Sequence, residues 1–168
     1  EWTIMLFHEP VYHRQGGVES RPYLNTVIEG YGVDLVIQGH SHLVTRTYPM
    51  KNGQIVTKNN PDDILKGVGT VYTTIGSTTL NHDGVTSSND VSAMEEIYNM
   101  KTPTTYQPSY TYITVSGDKL VVTTKQVEGL VLDQFNISPN NPVPPEAENN
   151  GNLAKDKSYT AEGIYNDG

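Results

Sequence analysis

Two continuous apolar runs, Trp2 to Phe7 and Val33 to Ile37, flank a stretch with helical spacing, and this order constrains the fold more than any other feature of the chain. Ser20 is placed to cap a helix in which Leu24, Val27, Ile28 and Tyr31 fall at i, i+3, i+4 and i+7. Pro22 suits its first turn, and Gly30 and Gly32 suit its stop. Strand, one-sided helix and strand read as a β-α-β unit, whose strands are expected to be parallel and buried on both faces, because each is an unbroken apolar run without polar alternation.

Beyond this unit the sequence reads as antiparallel. Leu43 to Met50, Gln54 to Thr57, Val71 to Ile75, Tyr110 to Ser116, Lys119 to Val127 and Leu130 to Ile137 are β-branched and aromatic segments, with turn pairs at Asn52-Gly53 and Gly117-Asp118. Tyr110, Tyr112 and Val115 are expected to pack with Leu120 and Val122, and residues 91 to 101 to form a short helix. After Ile137, Pro139, Pro142, Pro144 and Pro145 crowd together among Asn and Glu, so 138–168 reads as a linker or tail. Trp2 opens a strand with neither an initiator Met nor a leader pattern before it. That abrupt start points to a piece of a longer protein.

The chain carries 11 basic against 19 acidic residues among 168, a net charge of −8. Such a balance argues against a nucleic-acid-binding surface, since affinity for a phosphate backbone comes mainly from clustered Lys and Arg. No stretch approaches the roughly 20 apolar residues that cross a bilayer. Half of the charge excess lies from Asp133 onward, where six acids meet Lys155 and Lys157, and so belongs mostly to the tail. With no cysteine in the chain, disulfides, thiolate metal sites and a cysteine nucleophile are all excluded. A metal here must be held by His, carboxylate or amide.

Five histidines occur, and three stand just beyond the apolar strands: His8 after Phe7, and His40 and His42 after Gln38-Gly39. Ligands of α/β sheets collect in the crevice beyond the carboxyl ends of strands, so histidines from two such ends can converge. Gly39 permits a sharp turn, and His-Ser-His sends two imidazoles out of one short loop. Imidazole suits zinc, iron and similar ions.

Gly-His-Ser-His after a buried strand, preceded by His8-Glu9-Pro10-Val11-Tyr12 after another, resembles the second half of the calcineurin-like metallophosphoesterases, most closely their purple-acid-phosphatase-like branch. The matching stretches are Trp2 to Tyr12, Val33 to His42, Thr45 to Met50, Gly69 to Thr79 and Val131 to Ile137. The resemblance implies an α/β fold: part of a four-layer α/β/β/α sandwich, mostly β in this stretch, with residues 1–137 as the C-terminal half of the catalytic domain. It implies two divalent or trivalent ions (Fe, Zn or Mn), with His8 and His40 on one and His42 on the other. The reaction implied is hydrolysis of phosphate mono- or diesters through a metal-bridging hydroxide, in an in-line displacement clamped by the two ions. The family's remaining ligands lie in Asp-X-His, Gly-Asp and Gly-Asn-His-Glu motifs; the first and last do not occur in this sequence, and its one Gly-Asp, Gly117-Asp118, is the hairpin turn noted above. Three neutral imidazoles leave a dication uncompensated, so the chain alone is expected to hold at most one ion weakly and to turn over little.

His13 is the candidate catalytic group on the following loop, and Tyr12, His13 and Arg14 are candidates to contact a phosphorylated small-molecule substrate. Tyr12 beside a proline also suits plain packing. His82 reads as a surface turn, and Gly76-Ser77-Thr78-Thr79 as a strand-end turn with backbone N–H groups suited to an anion. Two other readings stay open: a mononuclear zinc enzyme using His8, His40 and His42, and a non-catalytic cell-surface interaction module. A half-domain of this kind leaves a sheet edge open, so a dimer or strand swap is expected. Absent cysteine and abundant Thr, Asn and Tyr suit a secreted or cell-surface protein of a bacterium.

Overall fold

A computed structural model describes residues 1–12, 22–40, 44–76, 98–100 and 108–139, with only the backbone at residues 22 and 98–100. Strand β1 (Ile4–Phe7), helix α1 (Pro22–Gly30) and strand β2 (Leu35–Gln38) form the expected right-at-the-start unit. β1 and β2 run parallel in the register Ile4↔Leu35 to Phe7↔Gln38. Strand β3 (Val44–Thr47) follows, then a small ribbon of β4 (Met50–Lys51) and β5 (Gln54–Ile55), then β6 (Asp63–Leu65) and β7 (Val71–Ile75). The last four are β8 (Tyr98–Met100), β9 (Ser109–Ser116), β10 (Lys119–Gln126) and β11 (Val131–Ser138). One sheet has the order β1-β2-β7-β3-β8 and a second the order β6-β11-β10-β9.

Side-chain alternation along β2 and β7 assembles the layers. Leu35, Ile37 and Val71 face the second sheet and pack with Ile64, Leu120, Val122, Phe135 and Ile137. Val36 and Tyr72, one residue out of phase, face α1 and pack with Val11, Ile28, Val33 and Met50. A strand apolar on both faces reads as a continuous hydrophobic run, which is what Val33 to Ile37 shows. Helix, sheet and sheet are thus successive layers of the α/β/β/α order. Buried Arg46 on β3 cross-links the two sheets. Its Nε donates to Asp133 Oδ2 (2.7 Å), and its Nη2 donates to Asp133 Oδ1 (3.1 Å) and Asp62 Oδ1 (2.7 Å). Nη1 donates to the Pro61 carbonyl, and the guanidinium lies 4.5 Å from the Phe135 ring centroid.

The hairpins follow their turn residues. Asn52 and Gly53 both have positive φ (52° and 72°), as a two-residue type I′ turn requires, and Gly117 (φ 61°) leads the turn between β9 and β10. Several expectations are corrected. β1 is not buried: it is the edge strand of its sheet, and Leu6 is 75% exposed. The helix is rotated from its apolar stripe, burying Asn25, Ile28 and Glu29 while Tyr23, Val27 and Tyr31 face outward. Tyr110, Tyr112 and Val115 are exposed on the edge strand β9, and the two tyrosine rings stack on each other at 6.2 Å. Residues 98–100, expected in a helix, pair with β3 as a strand, and 91–97 lie outside the described residues. Two pairings beyond the first unit are parallel, β2 with β7 and β6 with β11. Among the described residues no helix is long and apolar enough to cross a membrane.

Candidate metal centre

Because Phe7 pairs with Gln38 across parallel strands, the chain leaves β1 and β2 side by side at the same end of the sheet. The Gly39 N–H donates to the His8 carbonyl at 3.1 Å, extending the strand pairing by one bond. A Cβ at position 39 would lie 3.0 Å from His8 Nδ1, so the missing side chain is what admits the imidazole. His40 then takes a left-handed backbone (φ 63°), a conformation uncommon outside glycine, and turns back toward His8. The two rings meet edge to face, with centroids 5.2 Å apart and His8 Nε2 3.3 Å from His40 Nδ1. Glu9 Oε1 lies 3.8 Å from the same His40 nitrogen. One donor atom from each of His8, Glu9 and His40 falls within 4.8 Å of the other two.

Two further contacts hold the loop that carries His8. The Val11 N–H donates to Gln38 Oε1 at 2.7 Å, tying the exit of β1 to the end of β2. Tyr12 reaches under α1, where its hydroxyl donates to Glu29 Oε1 (2.7 Å) and accepts from Asn25 Nδ2 (3.0 Å). Glu29 Oε1 also accepts from the Tyr72 hydroxyl (3.1 Å), and Oε2 from the Gly53 N–H (2.9 Å). Burial first, and then Glu29, push the Tyr12 and Tyr72 hydroxyls well above the usual phenol range. Neither is set up to exchange protons near neutrality. This network explains the helix rotation, because the buried Glu29 needs those donors.

Of the residues expected at the site, His8 and His40 come together, and half-buried Tyr12 stands behind them with its hydroxyl committed to Glu29. His42, His13, Arg14 and His82 lie outside the described residues. Glu9 was not anticipated, although a carboxylate directly after a strand-terminal histidine is a visible signal. Gln38 was also missed, as a strand-end amide looks like any polar terminus.

Comparison with known proteins brings the pieces together. No family model matches the chain. Purple acid phosphatase 18 of Arabidopsis thaliana is 35% identical over 80 residues, which are 45% of this chain and 16% of that protein. A purple acid phosphatase from yellow lupin (Lupinus luteus) seeds, PPD1, superposes with a TM-score of 0.58 at 19% identity, over 82% of this chain and 25% of that one. The chain resembles purple acid phosphatases in part of its sequence and in its fold. It spans only a minor part of either relative's length. At 19% identity the lupin match speaks to the fold, and the fold is the mostly β, purple-acid-phosphatase-like layering described above.

The donor atoms present fit a metal ion. Metal–nitrogen bonds of about 2.0–2.1 Å in a tetrahedral site place neighbouring ligand atoms roughly 3.3–3.4 Å apart. His8 Nε2 and His40 Nδ1 stand at that spacing. Both rings are partly open to solvent, so an ion would reach them without unfolding of the loop.

Proposed function

We propose that this chain supplies the histidine ligands of a two-metal phosphoesterase acting on phosphate mono- or diesters of small molecules. The observation that carries the reading is the His8–His40 pair, at the spacing of two ligands on one ion, at the strand ends of a purple-acid-phosphatase-like fold. In this reading His8 Nε2 and His40 Nδ1 hold one ion, and His42 holds the second. When bound, the ions (Fe, Zn or Mn) supply charge to polarise the phosphoryl oxygens and to activate a water.

The chain's own residues position that chemistry. Gly39 lets the imidazole of His8 sit against β2, and Gln38 and Glu29 anchor the loop running from His8 to Tyr12. His13 and Arg14, next in the sequence after Tyr12, are assigned to the substrate, with Arg14 as a donor to phosphate and His13 as a candidate proton carrier. Tyr12 contributes through its ring and not through its hydroxyl, which Glu29 occupies. Imidazoles leave a dication's charge uncompensated, so efficient turnover needs carboxylates beyond this histidine set, and the chain on its own hydrolyses esters slowly or not at all. Secretion or cell-surface display by a bacterium fits the composition.

The test is hydrolysis of p-nitrophenyl phosphate and its bis ester by the full-length protein that contains this sequence, with Zn²⁺, Mn²⁺ or Fe supplied. His8→Ala and His40→Ala are each expected to reduce kcat/KM by at least about 100-fold, more than the loss on removing an outer partner of a ligand. Full activity in both variants would overturn the reading.

A further inference from the structure

Two neutral imidazoles can place a dication but cannot neutralise any of its charge. Among the described residues, one carboxylate stands where it could do so. Glu9 directly follows His8, and in a continuing strand their side chains would point to opposite faces. The chain bends at both residues as it leaves β1, and a donor atom of each side chain lies within 4.8 Å of the other. Glu9 Oε1 consequently lies 3.8 Å from His40 Nδ1, which is itself 3.3 Å from His8 Nε2.

We infer that His8, Glu9 and His40 form a three-donor site for one divalent cation, with Glu9 as a ligand that this chain provides for itself. The inference deepens the phosphoesterase reading and rests on the same histidine pair. It differs in assigning the first ion a carboxylate from inside the sequence. Of the three donor spacings, 3.3 Å matches a tetrahedral edge of roughly 3.3–3.4 Å, 3.8 Å exceeds it by a few tenths of an ångström, and the third, His8 to Glu9, lies within 4.8 Å. The Glu9 side chain is 42% exposed, so a small rotamer adjustment closes that gap without disturbing the core. Two imidazoles and one carboxylate suit Zn²⁺ and comparable first-row ions, and leave the solvent side of the ion for water or a phosphoryl oxygen. The carboxylate removes half of the dication's charge, which the imidazoles alone cannot do.

The probes are Zn²⁺ and Co²⁺ alone, titrated into the chain, with calorimetry for affinity and stoichiometry and the Co²⁺ electronic spectrum for ligand identity. One ion per chain is expected. Glu9→Gln keeps the side-chain shape at an exposed position, and is expected to weaken binding at least about 10- to 100-fold, the loss that accompanies even an outer partner of a ligand. It is also expected to change the Co²⁺ spectrum, whereas Glu128→Gln, on the turn between β10 and β11, should change neither. An unchanged affinity in Glu9→Gln would overturn the inference. So would a weaker affinity with an unaltered Co²⁺ spectrum, because Glu9 would then act from outside the coordination sphere. Both outcomes leave the phosphoesterase reading to its own assay, since that depends on His8→Ala and His40→Ala in the full-length protein. Unchanged Zn²⁺ binding in His8→Ala and His40→Ala chains would overturn the inference and remove the observation under the phosphoesterase reading as well.

Discussion

Replacing Arg46 with Met tests how the two sheets are locked together. The Arg46 side chain is 1% exposed and the Asp133 side chain 6%, while Asp62 is 53% exposed. Loss of the guanidinium lets Asp62 return to water but leaves Asp133 charged and buried, so the cost concentrates on one carboxylate. Breaking a buried pair from one side typically costs about 3–5 kcal/mol, a large share of the roughly 5–15 kcal/mol that holds a domain folded. Met retains some packing against Phe135, which places the expected loss toward the lower end, at about 3 kcal/mol. Replacing both partners removes that buried charge, and apolar substitutes for a buried pair are often neutral or better. Arg46→Met/Asp133→Leu is therefore expected to be more stable than Arg46→Met alone by about 2 kcal/mol or more. Urea unfolding followed by Trp2 fluorescence suits the measurement, because Trp2 is the chain's one tryptophan and packs against the core between the sheets. A single-mutant loss under about 1 kcal/mol at unchanged m-value would refute the reasoning. A double mutant no better than the sum of the singles would refute it equally.

Two other outcomes follow from the same geometry. Burial and Glu29 hold the Tyr12 and Tyr72 hydroxyls above their ordinary value of 10.0, so the native state keeps protons that the unfolded chain releases. Their contribution is whole below about pH 10 and is lost as pH rises toward the folded values, at about 1.4 kcal/mol per pH unit for each tyrosine. Urea midpoints between pH 9 and 11 should fall less steeply in Tyr72→Phe than in the parent, and equal slopes would refute the account. The exposed apolar edge of β1 is expected to pair with a second copy of the chain, giving concentration-dependent dimers in light scattering that Leu6→Lys abolishes. A monomeric parent chain with a cooperative melt would refute this.

The backbone of the site was legible because its signals are local. An apolar run, a helical stretch and a second apolar run place His8 and His40 at neighbouring strand ends, and the parallel pairing of Phe7 with Gln38 follows from that order. The hairpins at Asn52-Gly53 and Gly117 were equally readable from turn chemistry alone. What escaped depends on partners far apart in the chain. The face α1 buries is set by Glu29, whose donors Tyr12, Tyr72 and Gly53 come from three separate segments, so the apolar stripe misled. Arg46 is buried because Asp133, 87 residues later, receives it. β6 is three residues long and becomes a strand only by pairing with β11. Glu9 joined the site through a bend that no strand periodicity records.

The left-handed backbone at His40 has a consequence for how this chain can vary. Such a conformation disfavours a β-carbon by roughly 1–2 kcal/mol, and glycine is the residue that relieves it. Mutational drift toward greater stability would therefore favour glycine at position 40, and would remove the imidazole in the same step. A chain selected only for holding together should lose this histidine early, and one that keeps it is being selected for something the fold does not need.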